Sequence, residues 1–91
     1  LSENVFINSG CIVEHDCVIE KNSFLSPGVI LCGKVIVEED CFIGAGSVIS
    51  TGIKIGKNVT LGAGSTVIKD VPDNVVTYGN PSHLNIIKKV L

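Results

Sequence analysis

The sequence predicts an all-β chain: a single-stranded parallel β-helix of hexapeptide repeats, about four coils, with a short C-terminal tail. Three observations carry that prediction. Aliphatic residues recur every six positions, from Leu1, Ile7, Val13, Ile19 and Leu25 through to Leu61 and Val67, without a slip. Four places after each comes a second series of small or β-branched residues: Val5, Cys11, Cys17, Ser23, Val29, Val35, Cys41, Ser47, Ile53, Val59, Ser65 and Val71. A helix needs a period of about 3.6 and a free strand a period of about 2, so neither explains a repeat of six. Finally, Phe6, Phe24 and Phe42 are the only phenylalanines and stand 18 residues apart, which makes three hexads one coil and stacks the rings on one face. Four coils over residues 1–72 form a prism roughly 19 Å tall at a strand spacing of about 4.8 Å.

The corners follow from the residues three places after each aliphatic. They are Asn4, Gly10, Asp16, Asn22, Gly28, Lys34, Asp40, Gly46, Gly52, Asn58, Gly64 and Asp70. Gly, Asn and Asp best tolerate a left-handed backbone. A generic β-sandwich would instead give uneven loops and slips of register. The repeats therefore define a domain over 1–72, with a turn and tail over 73–91. Leu1 enters already in register, so an N-terminal part is expected to be missing. Asp73 breaks the aliphatic series. Beyond it, Asn74 to Tyr78 suits one more strand and Gly79-Asn80-Pro81-Ser82 a turn. His83 to Leu91 suits a terminal helix by the spacing of Leu84, Ile87 and Leu91, or a strand by its β-branched content.

The totals exclude several classes. The chain has 91 residues and a formal net charge of -2. No long run of one sign occurs, which argues against nucleic acid as a partner. Apolar runs are too short for a membrane span or a signal peptide. Cys11, Cys17 and Cys41 sit in the inward series, Cys32 does not, and there is no CxxC pair. These read as reduced, core-filling thiols of a cytoplasmic protein, with no metal.

Each edge of the prism has its own chemistry. The first edge alternates Glu3, Lys21, Glu39 and Lys57 and is expected to be solvated. The second carries Ser9, Pro27, Ala45 and Ala63, each followed by glycine, with neither bulk nor charge. The third carries His15, Gly33, Thr51 and Lys69, with Asp16 just after the histidine. Apolar residues also point outward, above all Ile12, Ile30 and Val48 between the second and third edges. Aligned apolar stripes predict an oligomer, with that stripe on a threefold axis and the first edge outermost.

His15 is the candidate for chemistry. A neutral imidazole accepts a proton near pH 7, and a neighbouring carboxylate fixes its tautomer. Gly33, one coil above, leaves open space and a backbone N–H suited to a developing oxyanion. With the hexad register, the run Val13-Glu14-His15-Asp16-Cys17-Val18-Ile19 and the closing Gly79-Asn80-Pro81 turn, the chain resembles the sialic-acid O-acetyltransferase-like sugar acyltransferases, which include UDP-amino-sugar N-acetyltransferases. The resemblance covers essentially the whole chain and matches their C-terminal part. It implies a left-handed β-helix, a homotrimer, and acetyl-CoA bound between neighbouring prisms. By the same resemblance His15 is the general base, Asp16 tunes it, and Asn8 is a substrate-side polar residue. Acetyl-CoA contacts fall on Phe24, Gly33, Ala45 and Ala63, and the acceptor is an amino or hydroxyl group of a sugar. Two other readings stand beside it: a non-catalytic β-helix scaffold, and a zinc carbonic-anhydrase-like β-helix, whose three histidine ligands are hard to supply from His15 and His83.

Overall fold

The structure, a computed structural model, describes residues 3–89, so Leu1 and Leu91 of the patterns above lie outside the described residues. Eleven two-residue strands follow the hexads: β1 (Phe6–Ile7), β2 (Ile12–Val13), β3 (Val18–Ile19), β4 (Phe24–Leu25), β5 (Ile30–Leu31), β6 (Ile36–Val37), β7 (Phe42–Ile43), β8 (Val48–Ile49), β9 (Lys54–Ile55), β10 (Thr60–Leu61) and β11 (Thr66–Val67). They stack as three parallel sheets, one per face of a left-handed β-helix of about four turns. Phe6 pairs with Phe24 and Phe24 with Phe42, so a coil is 18 residues. The rings of Phe24 and Phe42 stack with centroids 5.3 Å apart.

Corner chemistry decides the shape. Asn4, Asp16, Asn22, Lys34, Asp40 and Asn58 all have φ between 55° and 62°. Gly10, Gly28, Gly46, Gly52 and Gly64 take the same left-handed turn. Each corner is bonded to the next coil, as where the Gly46 N–H donates to the Pro27 carbonyl at 3.0 Å. Inside, the aliphatic series from Ile19 to Val67 is buried, and so is the second series from Ser23 to Val71.

The second series has a further regularity. Cys11, Cys17, Ser23, Cys41 and Ser47 each donate to the backbone carbonyl 15 residues on: those of Ser26, Cys32, Glu38, Gly56 and Gly62. The distances run from 2.9 to 3.3 Å. These thiols and hydroxyls satisfy carbonyls at the corners, where the ladder of strand pairs has ended. All four cysteines are free.

Asp70 and Asp73 end the regular advance. Continuing the hexads would turn Asp73 inward, and a buried carboxylate without a partner is costly. The chain slips by two residues instead. Val71 takes the inward place opposite Ile55, and the Asp73 carboxylate accepts the Lys57 N–H at 2.8 Å, 16 residues back rather than 18. The Asp70 carboxylate likewise accepts the Lys54 N–H at 2.8 Å. The pattern then resumes in the new register: Asn74 makes the left-handed corner and Val75 and Thr77 point inward. β12 (Val75–Thr77) pairs with β10. A 3-10 turn over Ser82–Leu84 follows the cis Asn80–Pro81 bond, and β13 (Ile86–Lys88) returns antiparallel to β12. Of the two sequence readings of the tail, the strand is the one formed beyond the short 3-10 turn. The β-branched Ile86 and Ile87 suit the edge of the first sheet, and helical spacing over so short a stretch cannot outweigh that pairing.

Two consequences are measurable. A Cβ on Gly44 would lie 2.6 Å from the Ala63 nitrogen and the Leu61 oxygen, both backbone atoms that cannot move aside. Gly44→Ala should therefore destabilise the fold by roughly 1–3 kcal/mol, seen as a lower urea midpoint. Burial pushes the Cys41 thiol up to about 11, against a smaller opposing pull from a backbone hydrogen bond at Val59 and the charge of Lys89. A thiol held neutral by the fold contributes stability that is complete below its unfolded pKa and lost as pH rises through the folded value. From pH 9 to 11 the wild type should lose on the order of 2 kcal/mol relative to Cys41→Ser, whose hydroxyl keeps the bond to Gly56. Parallel urea titrations across that range check it.

Candidate functional site

The third edge stacks His15, Gly33, Thr51 and Lys69 because each is the first residue of a corner in successive coils. Asp16, directly after His15, holds the left-handed place with φ 61°. From above, the Lys34 N–H donates to the His15 carbonyl at 3.0 Å and the Gly52 N–H to the Gly33 carbonyl at 3.0 Å. The backbone under the histidine is thereby fixed.

The imidazole lies directly against Gly33. A Cβ built there would sit 2.8 Å from Cε1, 3.1 Å from Nε2 and 3.3 Å from Nδ1 of His15. The room beside Gly33 that the sequence suggested as open is thus filled by the ring itself. His15, Glu14 and Asp16 are all exposed, while Gly33 is buried. Among the described residues no hydrogen bond or ion pair joins His15 to Asp16 or Glu14.

The remaining candidates lie elsewhere on the prism. Ala45 and Ala63 are exposed on the second edge, where the Ala45 carbonyl accepts the Gly64 N–H at 2.7 Å. Phe24 is half-buried on the first sheet between Phe6 and Phe42. Asn8, leaving β1, spends its side-chain amide on the Leu25 carbonyl at 3.0 Å. One chain therefore divides the residues into two groups. His15, Asp16 and Gly33 share one edge. Asn8, Phe24, Ala45 and Ala63 lie on or beside another, with the second sheet between them. Among the described residues no pocket joins the two.

Some features near these groups had no signal in the hexads. Tyr78 packs its Cβ where a side chain on Gly62 would stand, at 2.9 Å, and the two-residue slip is what brings it there. His83 is half-buried, and its Nδ1 and the Ser82 Oγ are enclosed without a partner. On the first edge the expected alternation yields one close pair, Lys57 with Glu39 at 3.8 Å, beside Lys54 with Glu38 at 3.8 Å on the neighbouring face. Such exposed pairs contribute little. Among the described residues no three His, Cys, Asp or Glu side chains gather as metal ligands, and no helix is long and apolar enough to cross a membrane.

Comparison with known proteins adds to this geometry. The family described as "Hexapeptide repeat of succinyl-transferase" matches residues 34–69. Among solved structures, a histidine-to-asparagine mutant of perosamine N-acetyltransferase from Caulobacter crescentus, in complex with CoA and GDP-perosamine, is 34% identical. It superposes with a TM-score of 0.92 over 98% of this chain and 41% of its own. The acetyltransferase domain of PglB from Neisseria gonorrhoeae, in complex with acetyl coenzyme A, is 35% identical, with a TM-score of 0.85 over 86% of this chain and 38% of its own. Serine acetyltransferase from Brucella abortus is 31% identical, with a TM-score of 0.90 over 99% of this chain and 40% of its own. The chain thus spans about two fifths of the length of the solved proteins it matches. A search of curated protein sequences gave no match.

Proposed function

From its hexapeptide repeats and its likeness to solved acetyltransferases, we propose that the chain belongs to the hexapeptide-repeat acyltransferases and transfers an acetyl group from acetyl-CoA to an amino or hydroxyl group of a sugar, either a nucleotide sugar or a sialic-acid-like one. The observation that carries the reading is His15: an exposed imidazole on a rigid corner, braced against Gly33. A base so placed has little freedom to lose when it meets an acceptor.

In the proposed reaction the acceptor nitrogen or oxygen attacks the thioester carbonyl while His15 takes its proton. The tetrahedral intermediate collapses, breaking the carbon–sulfur bond, and the imidazolium gives its proton to the departing CoA sulfur. Asp16 makes no hydrogen bond or ion pair with the ring. Its part is that of a nearby anion, favouring the imidazolium as it forms. Phe24, Gly33, Ala45 and Ala63 line the path of acetyl-CoA, with the two alanines allowing close approach by the pantetheine arm, and Asn8 faces the acceptor. Support for this ligand set comes from the relatives crystallised with CoA or acetyl-CoA, one of them also with an amino-sugar nucleotide.

Because the two groups of residues lie on different edges, we further propose a homotrimer in which the third edge of one copy meets the second edge of the next. Ile12, 49% exposed in the single chain, with Ile30 and Val48 then faces the threefold axis. Free thiols suit a reducing compartment, so the cytoplasm is the proposed location.

His15→Ala should lower turnover by roughly two to four orders of magnitude while acetyl-CoA still binds, and Asp16→Asn should cost less. Steady-state assays of the intact protein with acetyl-CoA and amino-sugar nucleotides, beside calorimetry of acetyl-CoA binding, check both. Near-wild-type turnover by His15→Ala would refute the assignment. Ile30→Glu should dissociate the assembly, with sedimentation of the variant giving a monomer at micromolar concentration and that of the wild type a trimer.

A further inference from the structure

The left-handed corners open with Glu3, Ser9, His15, Lys21, Pro27, Gly33, Glu39, Ala45, Thr51, Lys57, Ala63 and Asp73. Gly33 alone among them has no side chain. Its backbone gives no reason for that, because the left-handed residue of this corner is Lys34, with φ 62°. Nor does a close approach of main chain explain it, as it does at Gly44. The three atoms nearest a Cβ at position 33 all belong to the His15 imidazole.

We propose that Gly33 is a positioning residue: its missing side chain is the seat in which the His15 ring is held for proton transfer. The inference rests on His15 as base and adds to it. The resemblance assigns Gly33 to the acetyl-CoA path, a role that governs affinity. A seat for the ring governs instead where Nδ1 and Nε2 stand relative to the acceptor. The obstructing atoms at 2.8–3.3 Å are the far end of a side chain free to rotate into solvent. An added methyl group therefore displaces the imidazole rather than breaking the fold, the opposite of the outcome at Gly44.

The test is Gly33→Ala in the intact protein, read in two ways. By NMR, the wild type should show a nuclear Overhauser contact between His15 Hε1 and the Gly33 Hα protons. In the variant the His15 ring signals should move to those of a free surface histidine, with the rest of the spectrum and the melting temperature kept. By kinetics with acetyl-CoA and an amino-sugar nucleotide that the wild type acetylates, kcat should fall roughly ten- to a hundredfold. The KM for acetyl-CoA should rise by a smaller factor than kcat falls, because Gly33 also lines the donor's path, and Gly33→Ala should cost kcat nothing further in a His15→Ala background. Unmoved His15 signals, or a loss confined to the KM for acetyl-CoA, would overturn the seat while leaving His15 as base. Full turnover by His15→Ala would overturn the base reading itself, whatever Gly33→Ala does.

Discussion

The structure depends on the hydrogen bonding of one coil to the next. A strand of two residues has no stability alone. Here each inner strand is held by the coil below and the coil above, at an advance of 18 residues until the slip, and the corners repeat the arrangement, as in the bonds from Lys34 to His15 and from Gly52 to Gly33. The left-handed corners make that stacking possible. Asn and Asp occupy this conformation at low cost, and Gly at none. A lysine does so at Lys34, where φ is 62°, because the coils on either side leave it no alternative.

A fixed advance turns sequence into columns, which is why so much of the fold was legible. Ile19, Val37 and Ile55 line one inner wall simply because they are 18 apart, and all three are buried. Cys41 was readable as a core thiol, but its partner was not. That a small inward residue would donate to the carbonyl 15 positions on is a property of the corner's geometry, invisible until the coils are stacked. The slip at Asp70 was half legible. Asp73 in an aliphatic place announces that the pattern fails there. Whether the chain leaves the prism or shortens a coil turns on whether two carboxylates can take over the N–H groups of Lys54 and Lys57, and that is a question of distance.

The candidate site divides along the same line. His15 could be found from its corner and its column, because both follow from counting. The relation of His15 to its neighbours could not. Asp16 is adjacent in sequence and makes no hydrogen bond or ion pair with the ring, whereas Gly33, in the next coil, lies directly against it. In a β-helix the next residue along the chain is a poor guide to the next residue in space, and the residue one coil on is a good one.

The columns also constrain where the proposed acyl transfer can take place. Stacked hexads fill their interior with aliphatic side chains, so the prism presents flat faces and narrow edges and, among the described residues, encloses no pocket. Binding a flexible thioester and a sugar together requires concavity, to exclude water and align the reacting atoms. Two convex prisms set edge to edge generate a groove that neither has alone. In the assembly proposed here, the third edge supplies the base and the second edge of a neighbour supplies the uncharged wall. The small residues at Ala45 and Ala63 are then a condition of the copies coming together as much as of ligand binding. A bulky side chain on that edge would narrow the groove from one side, just as a side chain at Gly33 would push the base into it from the other.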